Sequence, residues 1–360
     1  MSDISVFSTG TMRSGGSLFQ NIMSVHSEVI IFSGFVNFFR FYDGKYGKIN
    51  LKSSRKILEH LKLRLSVRRG YDLDIESIYI KLKNLDKVSY ADCYRLIMEH
   101  LRDIANKKIY GEYVTMGWRK IPKYLKYFPN GKVIHIIRDP RAVLTSFGKM
   151  SIMPDGYYLN CIFNWIDSFK YSEIYKKSLS KNRYMLLRFE DIHENPNKTI
   201  NKICKFLNIE FEDSMVSPNS WDNLFDKNFV DANISVYNNK KVYGFDIQRT
   251  KNWMGKIKKH EKFICDILLS DIETDLYDFS KKNSYNSDDI RKNLKKISNF
   301  KIFYKSLNNY LITKKGNDKH VIDPTKPENW DSNDSKTGKF IDTDAYKSYI
   351  DKYDEIMNYL

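Results

Sequence analysis

The chain has 360 residues, 42% of them hydrophobic and 29% charged, which is enough apolar material for a large buried core and fits one elaborate domain or two small ones. A formal charge of +16 points to anionic ligands or surfaces, although Lys, Asn and Ile recur along the whole chain, a pattern that biased codon composition also produces without a basic face. The longest apolar stretch, "VIIFSGFVNFF", is too short and too polar for a bilayer span, Asp3 interrupts any leader-like start, and Cys93, Cys161, Cys204 and Cys265 show neither CxxC nor metal-ligand spacing; a cytoplasmic chain with reduced core thiols is expected.

"ISVFSTG" is an apolar run ended by Gly10 and predicts a buried strand, and "SLFQNIMSVH" follows with Leu18, Ile22 and Val25 at helical spacing. Residues 27–80 mix aromatics ("FVNFFRFYDGKY") with basic helical stretches ("SSRKILEHLKLRL") and yield no clear element. "SYADCYRLIMEHLRDIANK" predicts an amphipathic helix with Tyr94, Ile97, Met98, Leu101, Ile104 and Ala105 on one stripe. "KIYGEYV" reads as a strand edge and "WRKIPKYLKYF" as a short helix. "KVIHII" has the continuous apolar character of a central parallel strand, and Asp139-Pro140 then caps and opens the helix "RAVLTSFGKM". A helix through "CIFNWIDSFKYSEIYKKSL", a strand "RYMLLRF" and a helix "NPNKTINKICKFLNI" complete the alternation. The expected fold is α/β: a P-loop-type central parallel sheet flanked by helices, with ligands at the carboxyl ends of the strands. Residues 281–319 are basic, 320–342 read as linker, and "TDAYKSYIDKYDEIMNYL" predicts a closing helix, so that a helical C-terminal extension packs on the core.

"STGTMRSGGS", Ser8 to Ser17, joins the first strand to the first helix. A glycine loop in that place presents backbone N–H groups and the positive end of a helix dipole, here from Ser14, Gly15, Gly16 and Ser17. ATP hydrolysis also needs a loop lysine and a carboxylate for Mg²⁺. Gly16 fills the lysine slot, no apolar run ends in a suitable Asp, and the loop's basic side chain is Arg13. A tight turn with ordinary glycines explains the cluster equally well. In "VIHIIRDPRAVLTSF", Arg138 ends a strand and Ser146 lies in the next helix, and both can face one crevice and suit a second phosphate. The alternatives are an ion pair of Arg138 with Asp139 or Glu190 and a plain surface serine. His26, in a turn, and His135, in an apolar strand, read as structural histidines.

With both segments in view, the chain resembles the sulfotransferases that use 3′-phosphoadenosine-5′-phosphosulfate (PAPS). "TGTMRSGGSLFQNIMSVHSEV" resembles their 5′-phosphosulfate loop in its arginine variant, and "KVIHIIRDPRAVLTSF" their 3′-phosphate motif. "RYMLLRFEDIHENPNKTINKICKFLNI" is similar to their strand–(Tyr/Phe)-Glu-Asp–helix segment and "TKNWMGKI" to their late Trp-Lys region, so the likeness runs in family order from Ile4 to about Tyr277. The resemblance implies that Arg13 offsets charge on the departing phosphate, that Ser14, Gly15, Gly16 and Ser17 cradle the same group, and that Arg138 and Ser146 hold the 3′-phosphate. Phe189 would lie against adenine or serve as a core aromatic. Arg249, Lys251, Trp253 and Lys256 would form a lid, with a solvated surface as the other role of the lysines. It implies sulfuryl transfer to a hydroxyl or amine with release of 3′-phosphoadenosine 5′-phosphate (PAP), without a metal. It also implies a transferase domain at 1–280, an acceptor-side helical insertion at 27–110 and an extension at 281–360.

The acceptor side departs from the family pattern. Relatives carry a Glu after an "HP-x-V" turn, or a Lys and His near a "GEK-T" strand. Here "HSEVIIFSGFVNFF" has no carboxylate after Glu28, and "GEYVTMGW" has Tyr113 in place of Lys and no His. A base should still take the acceptor proton, and Glu112 is the nearest candidate, with Asp43 and Glu28 behind it; a strand-end salt bridge is the other role for Glu112. The expected acceptor is a saccharide, glycolipid, other glycan or small metabolite. Three further functions stay open: a P-loop nucleotide or small-molecule kinase, a nucleotide-binding pseudoenzyme, and a basic nucleic-acid-binding protein. The last finds no helix-turn-helix, zinc-finger or aromatic RNA-binding signature in the sequence, so no nucleic-acid partner is expected.

Overall fold

The computed structural model describes residues 5–33, 36–69, 71–148, 157–224, 244–279 and 285–313. Five apolar runs pair as parallel strands: β1 (Ser5–Gly10), β2 (Val29–Ser33), β3 (Ile109–Thr115), β4 (Lys132–Ile137) and β5 (Tyr184–Arg188), in the spatial order β2-β3-β1-β4-β5. The registers place Gly10 beside Thr115 and Ile136, and Ile137 beside Arg188. All carboxyl ends therefore open on one edge, with β1 in the middle, where a parallel α/β sheet binds its ligands. The "KIYGEYV" run is an inner strand, hydrogen-bonded on both sides, and not an edge. A mid-strand glycine and a glutamate hide its character.

Successive side chains go to opposite faces, as the pleat requires. Val6, Ile31, Ile134 and Leu187 share a core cluster with Leu18, Phe19 and Ile22 of α1 (Gly16–Ser24), while Phe7, Ile30, Tyr110 and Val133 belong to the cluster of the other layer. Between β2 and β3 lie α2 (Phe38–Phe41), α3 (Leu51–Arg69), α4 (Ile75–Lys83) and α5 (Tyr90–Ile104). Residues 27–110 thus hold strand β2 and the start of β3 as well as four helices. Ser89 and Asp92 cap α5 reciprocally, and of its expected stripe only the terminal Ile104 is markedly exposed, at 47%. Next come α6 (Ile121–Tyr127), α7 (Pro140–Phe147) and α8 (Cys161–Ser178), then α9 (Phe189–Glu194) and α10 (Pro196–Leu207) after β5. Asp139 caps α7 by accepting the Arg141 amide at 2.8 Å.

After α11 (Gln248–Lys251) and α12 (Lys259–Leu268), α13 (Ser287–Ser298), α14 (Lys301–Thr313) and the turn between them lay Ile297, Phe300, Phe303 and Leu307 into one core cluster with Phe163, Trp165 and Phe263. The expected closing helix falls outside the described residues. Among the described residues no helix is long and apolar enough to cross a membrane, and no group of three His, Cys, Asp or Glu is placed to hold a metal ion.

Both histidines singled out in the sequence are fully partnered. His26 Nε2 meets the Glu210 carbonyl at 2.9 Å, and its Nδ1 accepts the Glu28 amide at 3.0 Å. His135 bonds Tyr184 Oη at 2.9 Å and Ser168 Oγ at 2.8 Å and stacks on Trp118, and burial pushes its pKa down to about 3. Replacing His135 by Leu strands two buried hydroxyls. The expected cost is about 2 kcal/mol of unfolding free energy, read as a lower denaturation midpoint at unchanged slope.

Candidate functional site

The chain leaving β1 at Gly10 bends through Thr11–Gly15 into α1. Ser14 donates both its amide (3.2 Å) and its hydroxyl (2.6 Å) to the Thr11 carbonyl. Gly15 has φ +100°, and a Cβ there would collide with the Phe189 ring, so position and conformation both require glycine. The first intrahelical bond of α1 runs from Phe19 N to Gly15 O at 3.0 Å. The amides of Gly16, Ser17 and Leu18 precede it and project from the helix N-terminus, whose first turn holds no acidic residue. Arg13 sits in the left-handed region with φ 67°, unusual for a side-chain-bearing residue.

The loop and the strand-end motif are joined directly. Arg13 Nε donates to Ser146 Oγ at 3.0 Å, and Arg138 Nη1 donates to the Arg13 carbonyl at 2.9 Å. Arg138 Nη2 donates to the Arg249 carbonyl at 3.3 Å, and its guanidinium lies 4.2 Å from the Phe189 ring centre. The carboxylates beside it are used elsewhere: Asp139 pairs with Arg141, and Glu190 accepts the Asp139 amide and the Tyr277 hydroxyl. Burial lowers the Arg138 pKa to about 10, so it stays cationic at neutral pH, and its Nε finds no partner among the described residues. A buried cation held by two carbonyls, with a donor to spare, is a fit place for an anion.

Phe189 is 5% exposed and packs against Gly15 on the core side of Arg138. One helical turn on, His193 meets it edge to face at 4.5 Å. His193 Nδ1 accepts the Asp246 amide at 3.0 Å, so the ring proton sits on Nε2, which has no partner among the described residues. Burial, with Arg249 and Arg138 nearby, lowers the His193 pKa to about 4, so this is a neutral donor at physiological pH. Phe245 bridges from His193 to Trp221, whose Nε1 is likewise unpartnered among the described residues. Neither His193 nor Trp221 stands out in the sequence; the helical offset of His193 from Phe189 is the one available signal. Of the expected lid, Arg249 reaches Arg138 through its carbonyl, Lys251 and Lys256 are exposed, and Trp253 stacks under Arg141 at 4.3 Å.

Glu112 is fully buried and points to the face of the sheet opposite α1. Its carboxylate accepts the amides of Asn37 and, at 3.4 Å, Phe38, while Arg64, also fully buried, donates to the Val36 carbonyl at 2.8 Å. The two residues grip the chain beyond β2 by its N–H and C=O groups. Asp43 is paired with Lys123 at 2.7 Å, and Glu28 with Lys108. Burial raises the Glu112 pKa to about 7, against the pull of the two amides and Arg64. An acid whose pKa is higher folded than unfolded contributes stability that is full at low pH and is lost as pH rises through the folded value. Wild type should therefore lose stability relative to Glu112→Gln between pH 4.5 and 7, by up to about 3 kcal/mol, in melting curves of the two proteins taken side by side.

A sequence model of the sulfotransferase family matches residues 5–213. A protein-tyrosine sulfotransferase of Drosophila melanogaster is 25% identical over 96 residues, which is 26% of this chain and only 19% of that relative's length. Among solved structures, the sulfotransferase domain of the olefin synthase of Synechococcus PCC 7002 aligns over 75% of this chain and 96% of its own, with 18% identity and a TM-score of 0.49. Retinol dehydratase in a complex with retinol and PAP aligns over 76% and 83%, with 15% identity and a TM-score of 0.36. The family match spans more than half of the 360 residues and contains the loop, Arg138, Ser146, Phe189 and Glu112: the chain belongs to the sulfotransferase family.

Proposed function

We propose that this protein moves a sulfuryl group from PAPS to a hydroxyl or amine on a small-molecule or glycan acceptor and releases PAP. The observation that carries this assignment is the contact of the two anion motifs, Arg13 to Ser146 and Arg138 to the Arg13 carbonyl. A ligand with phosphates at two ends suits such a junction, and PAPS has that shape. The amides of Gly16, Ser17 and Leu18, with Arg13, would take the 5′-phosphosulfate. Arg138 and Ser146 would take the 3′-phosphate. Phe189, His193 and Trp221 offer ring surface and unpaired donors on the base side.

The donor supplies the sulfuryl group, and the chain's own residues do the positioning. Transfer of this kind is in line and loose, so charge on the leaving phosphate dominates the barrier. Arg13 is placed for that charge. In a loose transition state the acceptor proton departs late, which lowers the demand on a base. Glu112, occupied by the Asn37 and Phe38 amides, is assigned the anchoring of the acceptor-side chain in preference to proton transfer. Residues 1–280 are taken as the transferase unit, 27–110 as its acceptor side and 281–360 as an extension. The four cysteines are buried and unpaired, which supports a reducing, cytoplasmic setting.

Thermal shift measurements with PAP, AMP and ATP test this. A ligand at a hundred times its Kd adds about 2.7 kcal/mol, a rise of several degrees. PAP should raise the melting temperature more than either competitor. Ser146→Ala should shrink that advantage and Arg138→Ala should erase it. Equal stabilisation of the wild type by AMP would overturn the 3′-phosphate site.

A further inference from the structure

β3 delivers two neighbouring side chains to opposite faces, Glu112 to the helical layer and Tyr113 beneath the loop. Tyr113 is 4% exposed and packs in one cluster with Leu18 and Phe19 of α1. Its hydroxyl lies 3.2 Å from Ser14 Oγ. A Cβ on Gly10 would come within 3.1 Å of that hydroxyl, and a Cβ on Gly16 would fall inside the ring. Tyr113 thus backs the loop at Ser14 and Gly16, while Ile136 and Ser14 crowd Gly10 first and Phe189 closes on Gly15.

We propose that Tyr113 is the specificity-determining residue of the loop. Its ring fills the space on the β3 side of position 16, so no side chain is tolerated there. A bound anion then meets backbone amides and Arg13, with no lysine at the inner end. This rests on the loop being the cradle of the 5′-phosphosulfate. A triphosphate carries more negative charge than a phosphosulfate and depends on an inner lysine to neutralise it. Tyr113 thereby selects against nucleoside triphosphates by shape, through a glycine it makes obligatory.

The test places Gly16→Ala and Gly16→Lys in the full chain, each with Tyr113 and with Tyr113→Ala. The readouts are the melting temperature and the shifts given by PAP and by ATP with Mg²⁺. With Tyr113 present, Gly16→Ala should lower the melting temperature by about 5 °C, and in the Tyr113→Ala background by less than half as much. The shift given by ATP should be larger in the Gly16→Lys/Tyr113→Ala protein than in the wild type, with the PAP advantage that Arg138 and Ser146 supply still present. Tyr113→Phe, which keeps the ring, should leave the ATP shift at its wild-type size. An equal cost of Gly16→Ala in both backgrounds overturns the proposal, as does an ATP shift in the Gly16→Lys/Tyr113→Ala protein no larger than the wild type's. A wild type that PAP does not stabilise overturns the PAPS assignment instead, and the coupling of positions 16 and 113, read without ligand, still decides the packing claim on which selection by Tyr113 depends.

Discussion

A buried guanidinium organises this end of the molecule. Arg138 leaves β4 at the carboxyl edge of the sheet and is held by carbonyls from two distant segments, Arg13 and Arg249, over the face of Phe189. Taking a cation out of water costs several kcal/mol unless its charge is answered, and here backbone dipoles and a ring face answer it in part. The lowered pKa of the group expresses the unmet remainder. Each of its contacts fixes something else: the Arg13 carbonyl fixes the loop, the Arg249 carbonyl fixes α11, and the Phe189 ring fixes the spacing to Gly15.

The sheet explains why so few residues accomplish this. Parallel strands bring the ends of β1, β3, β4 and β5 to one edge, so loop, tyrosine, arginine and phenylalanine arrive together from positions far apart in the chain. The pleat then divides labour along β3. Tyr113 shapes the anion loop on one face, and Glu112, with Arg64, secures the Val36–Phe38 segment on the other. The β1–α1 loop and the Val36–Phe38 segment are thus supported from adjacent residues of one strand.

Much of this was legible in the sequence, because backbone requirements leave local marks. A glycine loop between an apolar run and a helical stripe, and an Asp-Pro after another apolar run, each specify their geometry within a dozen or so residues. The parallel sheet and the pairing of the loop with Arg138 and Ser146 followed from those marks. The missed features depend on partners remote in sequence. His193 owes its tautomer to the Asp246 amide, and Glu112 owes its setting to Asn37, Phe38 and Arg64. The inner position of β3 was obscured by Gly111 and Glu112, a glycine and a carboxylate in the middle of a buried strand. The basic helical stretch "SSRKILEHLKLRL" lies in α3, but the aromatic run around α2 gave no periodic signal, since its rings pack on several sides at once.

The partly compensated charge of Arg138 couples anion binding to the stability of the fold. A fold that buries a cation held mainly by backbone carbonyls and a ring face gains stability from any anion that settles beside it, and the gain grows with the anion's concentration. Turnover by proteases follows the population of opened molecules. An anion bound beside Arg138 would therefore also slow proteolysis of the protein, by the same free energy with which it binds.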